Sequence, residues 1–261
     1  MKKLFLVIMA LSLLLVTGCG KESLSSQEQG SGYTVVDARG KKITFASAPK
    51  RIVCLNYSVT DILTDLIATD RIIATDMWAR EEDLSNCYEK LKGIPVCENN
   101  PEQIMKFNPD LVILTEGRAN ELADTLDSVG VKTCVLRQPK TIQEIPDYIK
   151  IVGEVADTKA AADSLAEKVA AYIKASAGGQ KIESVLLIHP NGGIGQKGSM
   201  PASICEACNI ENLAAKYDFP QSSYLSKEQI IAMNPQRIID VGLVLWRTTQ
   251  KCRDTQGRNF K

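Results

Sequence analysis

Short, mainly apolar runs recur through the first half of the chain, and stretches with helical periodicity separate them. The runs, each of strand length, are Ile52 to Leu55, Ile72 to Thr75, Leu111 to Leu114 and Val131 to Leu136. The helical stretches are Val59 to Ala68, Pro101 to Phe107 and Ala119 to Val129. Strands that lack polar alternation are typical of sheets with both faces buried. The pattern therefore predicts a parallel sheet covered by helices.

Two other patterns lie on either side of this predicted sheet. Thr34 to Asp37 and Lys42 to Phe45 flank a turn that contains glycine, which predicts a small leading hairpin. Residues 141–178 show no strand pattern, and Asp157 to Ser176 is rich in Ala, Lys, Glu and Leu, so a long helical connection is predicted there. Ser184 to Ile188 then begins a second run of strands.

An internal repeat relates the two halves of the chain. Residues 102–113 contain Glu-Gln-Ile, then Asn-Pro three residues later, then an apolar strand, and residues 228–239 contain the same series. The offset is 126 throughout, and six of the twelve aligned positions are identical. Two lobes of one architecture, with a cleft between them, are therefore predicted.

The predicted fold class is α/β, with two Rossmann-like lobes whose sheets are parallel. The N-terminal lobe spans residues 33–140, a connecting backbone helix spans residues 141–178, and the C-terminal lobe spans residues 179–261. In open parallel sheets, ligands bind beyond the carboxyl ends of the strands. We therefore expect the ligand site at that edge of each sheet.

The first 18 residues have the pattern of a bacterial signal peptide. Lys2 and Lys3 precede an apolar run from Leu4 to Val16, and small residues then lead to Cys19. A helix over this run would be about 20 Å long, which is too short for a bilayer core of about 30 Å. The similarity to a lipobox implies cleavage before Cys19 and acylation of that residue, palmitate included, on the extracytoplasmic face of the cell membrane. The alternative is an ordinary secretory peptide with a cysteine nearby.

Residues 19–32 are polar and rich in Ser, Gln and Gly, which predicts a flexible tether. Over the whole chain, 31 basic residues balance 31 acidic ones, so the excess of positive charge that nucleic-acid binding needs is absent. His189 is the only histidine, which excludes a metal site made of several imidazoles. No nucleophile elbow, P-loop or dinucleotide fingerprint is present. A non-enzymatic protein without a cofactor is therefore predicted.

Seven cysteines remain after Cys19, at irregular spacing, and this is not the pattern of a disulfide framework. Cys54 and Cys134 lie inside apolar runs, where a free thiol packs as a small hydrophobic group. Cys205 and Cys208 have the spacing of a redox or metal pair, but no histidine or second cysteine pair lies nearby. We favour a structural role for both.

The order and spacing of these segments resemble the substrate-binding lipoproteins of ABC importers for iron complexes and cobalamin, the helical-backbone (class III) periplasmic-binding-protein family. The stretches that carry the resemblance are Pro49 to Leu55, Thr60 to Ala74, Asn100 to Ile113, Gly130 to Leu136, Gly198 to Asn212 and Ser226 to Ile239. The resemblance implies a monomeric receptor that captures a ferric siderophore, haem or cobalamin. It also implies delivery of that ligand to a permease dimer with ATPase subunits. The sequence leaves the choice among these ligands open.

The chain departs from the family pattern at two places. The family continues past the strand at Arg237 with a further helix, a strand and closing helices, whereas Leu243 to Lys261 has no clean period. We therefore expect an incomplete C-terminal lobe. At Ala68 and Thr69 the family usually has Leu-Gly, and threonine disfavours the left-handed conformation that glycine gives at a helix end.

Nine residues at the carboxyl ends of the predicted strands are candidate ligand contacts. They are Asn56, Tyr57, Trp78, Arg80, Glu116, Arg118, Arg137, His189 and Asn191. Tyr57 and Trp78 offer apolar faces, and Arg118 and Arg137 offer planar donors for catecholate, carboxylate or propionate groups. His189 or Tyr57 could also approach a metal centre. The plain alternatives are an aromatic cover for the sheet, solvated loop charges and an ordinary loop histidine.

Glu102 and Glu228 occupy equivalent positions in the first turns of the two repeated helices. The resemblance implies that each docks in an arginine-lined socket on one permease subunit. Stabilisation of the helix N-terminus is the alternative, and both roles are compatible. Two other interpretations compete with transport as a whole: a non-transporting sensory or interaction lipoprotein derived from the family, and an enzyme or redox protein that uses Cys205 and Cys208.

Overall fold

The computed structural model describes residues 32–117, 119–178, 182–189, 192–217 and 224–240. The predicted signal peptide, most of the tether and residues 241–261 therefore lie outside the described residues. The leading hairpin is confirmed: β1 (Tyr33–Val36) pairs antiparallel with β2 (Lys42–Phe45). Tyr33 and Phe45 pair at the open end of this hairpin, and their rings stack with centroids 4.9 Å apart.

The first large sheet has four parallel strands: β3 (Ile52–Cys54), β4 (Ile72–Thr75), β5 (Leu111–Thr115) and β6 (Thr133–Leu136). Their order across the sheet is β4-β3-β5-β6. The helices between them are α1 (Tyr57–Leu66), α2 (Pro101–Lys106) and α3 (Ala119–Ser128). This confirms the prediction of a parallel sheet covered by helices. The strands are apolar along their length because both faces of the sheet are buried.

Successive residues of the strands enter two separate cores. Ile52 and Cys54 face a core that includes α1 and the helices of the connecting segment. Val53, between them, faces a second core formed with α2 and α3. This alternation is what the two-residue period of a strand requires when both of its faces are covered.

The connecting segment is helical, but it contains two helices where the composition predicts one long helix. They are α4 (Ile145–Ala156) and α5 (Lys159–Ser176). Between them Asp157 takes the left-handed conformation, with φ of 58°, which ends α4. The two helices approach closely at Gly153, because a Cβ atom added there would lie 2.1 Å from the Cβ of Ala162.

The second large sheet is centred on β7 (Ile182–His189). The other strands are β8 (Gly192–Ile194), β9 (Ile210–Asn212) and β10 (Arg237–Asp240), and the helices are α6 (Met200–Ala207), α7 (Leu213–Lys216) and α8 (Lys227–Met233). β7 pairs in parallel with β9 and β10, as expected, and antiparallel with β8. The short β8 hairpin adds an antiparallel strand that the apolar pattern did not predict.

The repeat in the sequence is a repeat in the structure. Asn100 and Ser226, which are 126 residues apart, cap α2 and α8 by accepting backbone hydrogen bonds of 3.0 and 3.2 Å. Asn108 and Asn234, also 126 apart, are left-handed, with φ of 46° and 48°. The repeated helices therefore begin and end in the same way.

The strands that follow these helices enter their sheets in the same way too. The backbone N–H of Asp110 donates to the carbonyl of Arg51 at 3.0 Å, and that of Gln236 donates to the carbonyl of Ser184 at 3.1 Å. In return, the Asp110 carboxylate accepts from the Arg51 N–H at 3.0 Å, and the Gln236 side chain accepts from the Ser184 N–H at 2.9 Å. These reciprocal bonds fix the same register between β3 and β5 as between β7 and β10.

Candidate ligand-binding site

A cavity of about 600 Å³ opens at the carboxyl ends of β3 and β4. The residues that line it are Leu55, Asn56, Tyr57, Asp76, Met77, Trp78, Val96, Cys97, Glu98 and Asn99. Open parallel sheets bind ligands at this edge, and small-molecule sites have volumes of about 300–1,000 Å³. Both the position and the size of the cavity therefore suit a small organic ligand.

Three segments form the walls of the cavity. Two of them directly follow strands of the sheet, and the third is a loop. Residues 55–57 follow β3 and residues 76–78 follow β4. The third segment lies along the end of β4: the N–H of Thr75 donates to the carbonyl of Pro95 at 3.1 Å, and the N–H of Cys97 donates to the carbonyl of Thr75 at 2.8 Å. This short parallel bridge places residues 96–99 beside the cavity.

Asn56 caps a helix and also lines the cavity. It is the N-cap of α1, and its Oδ1 accepts from the backbone N–H of Val59 at 3.1 Å and from the Ser58 hydroxyl at 2.6 Å. Its amide nitrogen donates to the Thr115 hydroxyl at 3.4 Å. The side chain is therefore held in one orientation at the edge of the sheet.

Large apolar side chains on the cavity remain accessible to solvent. Tyr57 is 45% exposed, Met77 50%, Trp78 39% and Val96 42%. Four such side chains around one cavity form a surface that a bound partner or ligand would cover. An aromatic pair with thioether and aliphatic neighbours suits a broad and partly apolar ligand.

The charged groups on the described lining are acidic. Burial raises the pKa of Asp76 despite hydrogen bonds from backbone N–H groups, among them that of Ala79 at 2.9 Å. Glu98 is exposed, and its backbone N–H donates to the Gln103 side chain at 2.8 Å. Among the described lining residues no lysine or arginine is present. The polar side-chain groups of the lining are two carboxylates, the amides of two asparagines, the Tyr57 hydroxyl, the Trp78 indole N–H and the Cys97 thiol.

Asn56, Tyr57 and Trp78 come together on the cavity, whereas three other candidates from the described chain do not line it. Arg80 donates from its guanidinium to the carbonyl of Ile94, in the loop between β4 and the third wall. Glu116 and Arg137 form an exposed ion pair of 3.1 Å at the ends of β5 and β6. The arginine at position 137 thus already has an acidic partner.

The remaining three candidates have no described side chain. Arg118 and Asn191 lie outside the described residues. His189 ends β7, where its backbone is paired with Gly192, and its side chain also lies outside the description. The second lobe's contribution to ligand binding therefore stays a prediction.

Sequence reasoning missed several residues of the cavity, chiefly Asp76, Met77 and residues 96–99. Asp76 and Met77 directly follow β4, so the rule about strand ends could have found them. Residues 96–99 carry no such signal. Their place depends on the single bridge between Thr75 and Val96, which periodicity does not reveal.

The cysteines of the described chain are free thiols, and all except Cys208 are buried. Burial raises the pKa of Cys205, and the neighbouring Cys208 adds to the effect. A reactive thiol needs the opposite shift, because the thiolate is the reactive form. The structure thus gives the redox interpretation no support. Among the described residues, no group of three or more His, Cys, Asp and Glu side chains could hold a metal ion.

Glu102 and Glu228 are both exposed in the first turns of α2 and α8. A hydrogen bond from its own backbone N–H, assisted by the Ser226 hydroxyl, lowers the pKa of Glu228. That carboxylate is therefore ionised under ordinary conditions. Within the described ranges neither glutamate forms an ion pair with a basic side chain.

A covered α/β sheet with a cavity at its carboxyl edge defines a ligand-binding protein of the α/β class. The sequence model described as Periplasmic binding protein matches residues 52–254. The chain belongs to the periplasmic binding protein family. This confirms the family that the sequence motifs indicated.

Two curated relatives and one solved structure illustrate the likeness. The Bacillus subtilis protein named uncharacterized ABC transporter substrate-binding lipoprotein YvrC is 24% identical over 176 residues, which cover 63% of this chain and 54% of that protein. The cobalamin-binding protein of Halobacterium salinarum is 25% identical over 214 residues, which cover 79% of this chain and 58% of that protein. The chain thus spans little more than half the length of these relatives.

The solved structure is the periplasmic haem-binding protein RhuT from Roseiflexus sp. RS-1 in its apo form. Its TM-score is 0.64 at 22% identity, and the match covers 73% of this chain and 76% of that one. At this identity the match shows a shared fold. Within the described ranges no helix combines the length and the apolar character needed to cross a bilayer.

Proposed function

We propose that this chain is the solute-binding protein of an ABC importer. It captures a chelated metal compound, a ferric siderophore, haem or cobalamin, between its two lobes and delivers it to the permease. The observation that carries the proposal is the 600 Å³ cavity at the carboxyl ends of β3 and β4, with exposed aromatic walls, in a chain of the periplasmic binding protein family.

The ligand class is supported by the walls and by the relatives. Tyr57, Trp78 and Met77 offer an apolar surface to a broad ring system, while Asn56 and Asn99 offer amides to its polar edge. The Halobacterium relatives are named cobalamin-binding protein, which favours a chelate of this kind. Arg118, Arg137, His189 and Asn191 stay candidates for further contacts.

We place the protein outside the cytoplasmic membrane, anchored by acylated Cys19 after removal of residues 1–18. The name of the Bacillus subtilis relative, a substrate-binding lipoprotein, supports the anchor. Residues 19–32 then form the tether, residues 33–140 and 179–261 the two lobes, and residues 141–178 the connection. The protein acts as a monomer, without a cofactor of its own.

We assign no catalytic activity to the cavity. The nucleophile on its wall is Cys97, and burial together with the charge of Glu98 raises the pKa of that thiol to about 11. At neutral pH the group is therefore a thiol and not a thiolate. ATP hydrolysis belongs to the separate ATPase subunits, and Glu102 and Glu228 dock on the two subunits of the permease.

Ligand titration of the full-length chain, purified in detergent, tests this function. The probes are haemin, cyanocobalamin and a ferric hydroxamate siderophore, followed by tryptophan fluorescence and by calorimetry. We expect at least one probe to bind at micromolar concentration or below, and Trp78→Ala to weaken binding about tenfold. Tyr172→Ala, at a residue of α5 that is 75% exposed, is the matched control and leaves affinity unchanged. Failure of all three probes to bind at tens of micromolar contradicts the proposal.

A further inference from the structure

We propose that Met105 and Ile231 also contact the permease, as apolar neighbours of Glu102 and Glu228 on a docking surface that occurs once in each copy of the repeat. Each half of the surface is an acidic residue followed, one helical turn later, by an exposed apolar residue. The inference rests on the proposed function, since it adds an apolar component to the contact with the permease.

The geometry of the two helices brings each pair together. Residues three apart on a helix are neighbours on one face, with Cβ atoms about 5–6 Å apart. Met105 is 39% exposed and Ile231 is 75% exposed. Because α2 and α8 have equivalent caps and equivalent left-handed ends, the acid and the apolar side chain occupy matched places in both copies.

Exposure in both copies singles out this apolar position within the repeat. Apart from Met105 and Ile231, the aligned segments 102–113 and 228–239 have five positions with a Val, Leu, Ile, Met or Phe in at least one copy, and each of these has a buried member. Those buried members are Ile104, Met233, Leu111, Val112 and Ile113. Core packing therefore accounts for the other apolar positions, but it does not account for Met105 and Ile231. A surface role common to both copies explains why an apolar side chain occurs at this position twice.

The chemistry of the surface specifies its partner. Each carboxylate would pair with a basic group on the corresponding half of the partner. Each apolar side chain would pack into an apolar depression next to that basic group. Two copies of one surface on a single chain match two copies of one socket, which a permease dimer supplies. Apolar contacts near the centre of an interface contribute affinity, while charged groups contribute orientation and association rate.

Binding of the full chain to the permease–ATPase complex of the same importer, held in lipid nanodiscs, tests the inference. Affinity is measured by interferometry at low and at moderate salt for the wild type, Met105→Ser with Ile231→Ser, and Glu102→Gln with Glu228→Gln. The matched control is Val129→Ser with Tyr172→Ser, two residues that are 56% and 75% exposed and lie outside the repeat.

We expect the apolar double variant to lose about tenfold in affinity at both salt concentrations, and the acidic double variant to lose its salt dependence. The control stays within about twofold of the wild type, and thermal unfolding shows that all variants are folded. If the acidic variant is weakened and the apolar variant binds like the control, the inference is wrong and the proposed function stands. If the wild type itself fails to bind the complex, both are wrong.

Discussion

The side chain of Asp37 is fully buried where the leading hairpin meets the first sheet. Arg39 lies 2.7 Å from its carboxylate, and the backbone N–H groups of Arg39 and Lys41 donate to the same carboxylate at 2.9 and 3.0 Å. The Arg39 guanidinium also reaches Asp127 at 3.0 Å and the Thr133 hydroxyl at 2.9 Å. One arginine therefore joins the hairpin, α3 and β6.

Replacing Arg39 tests the importance of this buried network. Arg39→Ala leaves the Asp37 carboxylate buried without its charged partner, and we expect the free energy of unfolding to fall by about 3–5 kcal/mol. Asp124→Asn is the control, since Asp124 contacts the same guanidinium but is 74% exposed, and it should cost less than about 1 kcal/mol. Urea denaturation followed by circular dichroism measures both. Similar small losses in the two variants contradict this account.

Asp127 gives the network a dependence on pH. Burial by itself would raise the pKa of this carboxyl, but hydrogen bonds from Lys41 and Thr133 outweigh burial and lower the pKa. A lowered pKa in the folded state contributes stability that is complete above the ordinary aspartate pKa of about 3.9 and is lost as the pH falls below it. We therefore expect Asp127→Asn to be less stable than the wild type at neutral pH. The difference should shrink on acidification through about pH 4; a difference that grows there contradicts the assignment.

The sequence alone placed Arg39 and Lys41 in a turn between two strands and indicated nothing more about them. Their partners at positions 127 and 133 are far away in sequence, and periodicity describes only neighbours. The same limit applied to the ligand site. Asn56, Tyr57 and Trp78 were found because each lies within three residues of the end of an apolar strand, whereas residues 96–99 reach the cavity through one isolated bridge.

At the scale of elements, the helical connection shows where composition misleads. The residues from Asp157 to Ser176 favour a continuous helix, and α5 does extend from Lys159 to Ser176. The left-handed Asp157 separates it from α4, which packs against it at Gly153. The two helices therefore fold back on each other at an interruption that helix propensity does not predict.

Gly153 offers a sharp test of this packing. Gly153→Ala gains helix propensity of about 1 kcal/mol, but its new Cβ would lie 2.1 Å from the Cβ of Ala162, so we expect a net loss of about 1–3 kcal/mol. The double variant Gly153→Ala with Ala162→Gly moves the methyl group from α5 to α4. The nearest remaining atoms to the new Cβ at position 153 are then the Cα at position 162 and the Thr158 carbonyl oxygen, each at 3.5 Å. Thermal unfolding should show the double variant recovering most of the loss. No recovery means that another contact sets the spacing.

The departure at Ala68 and Thr69 from the family pattern has a local explanation. Ile67 ends α1 in an extended conformation, with φ of −133°, and Thr69 begins a short 3₁₀ turn. No left-handed residue is used at this helix end, so a glycine is not required there. The repeated helices behave differently, because each ends in a left-handed asparagine, Asn108 or Asn234.

At the scale of the whole molecule, the sequence motifs identified the family and the α/β fold. The internal repeat was informative because its identical residues occupy equivalent structural positions. Asn108 and Asn234 end helices, and Ile113 and Ile239 lie in strands. The number of helices in the connection and the antiparallel β8 were not predicted. Both depend on contacts between elements, which one sequence does not display.

ATP-dependent uptake tests the central claim of import most directly. Proteoliposomes that contain the permease and ATPase subunits of the same importer are supplied with labelled cyanocobalamin, haemin or ferric hydroxamate, with and without the full-length chain. We predict that the chelate which binds the chain enters the vesicles only when both the chain and ATP are present. Glu102→Gln with Glu228→Gln should reduce that uptake without changing ligand affinity. Binding of the chelate with no uptake, or uptake that is independent of the chain, contradicts the account; the first result is the behaviour of a non-transporting sensory or interaction lipoprotein.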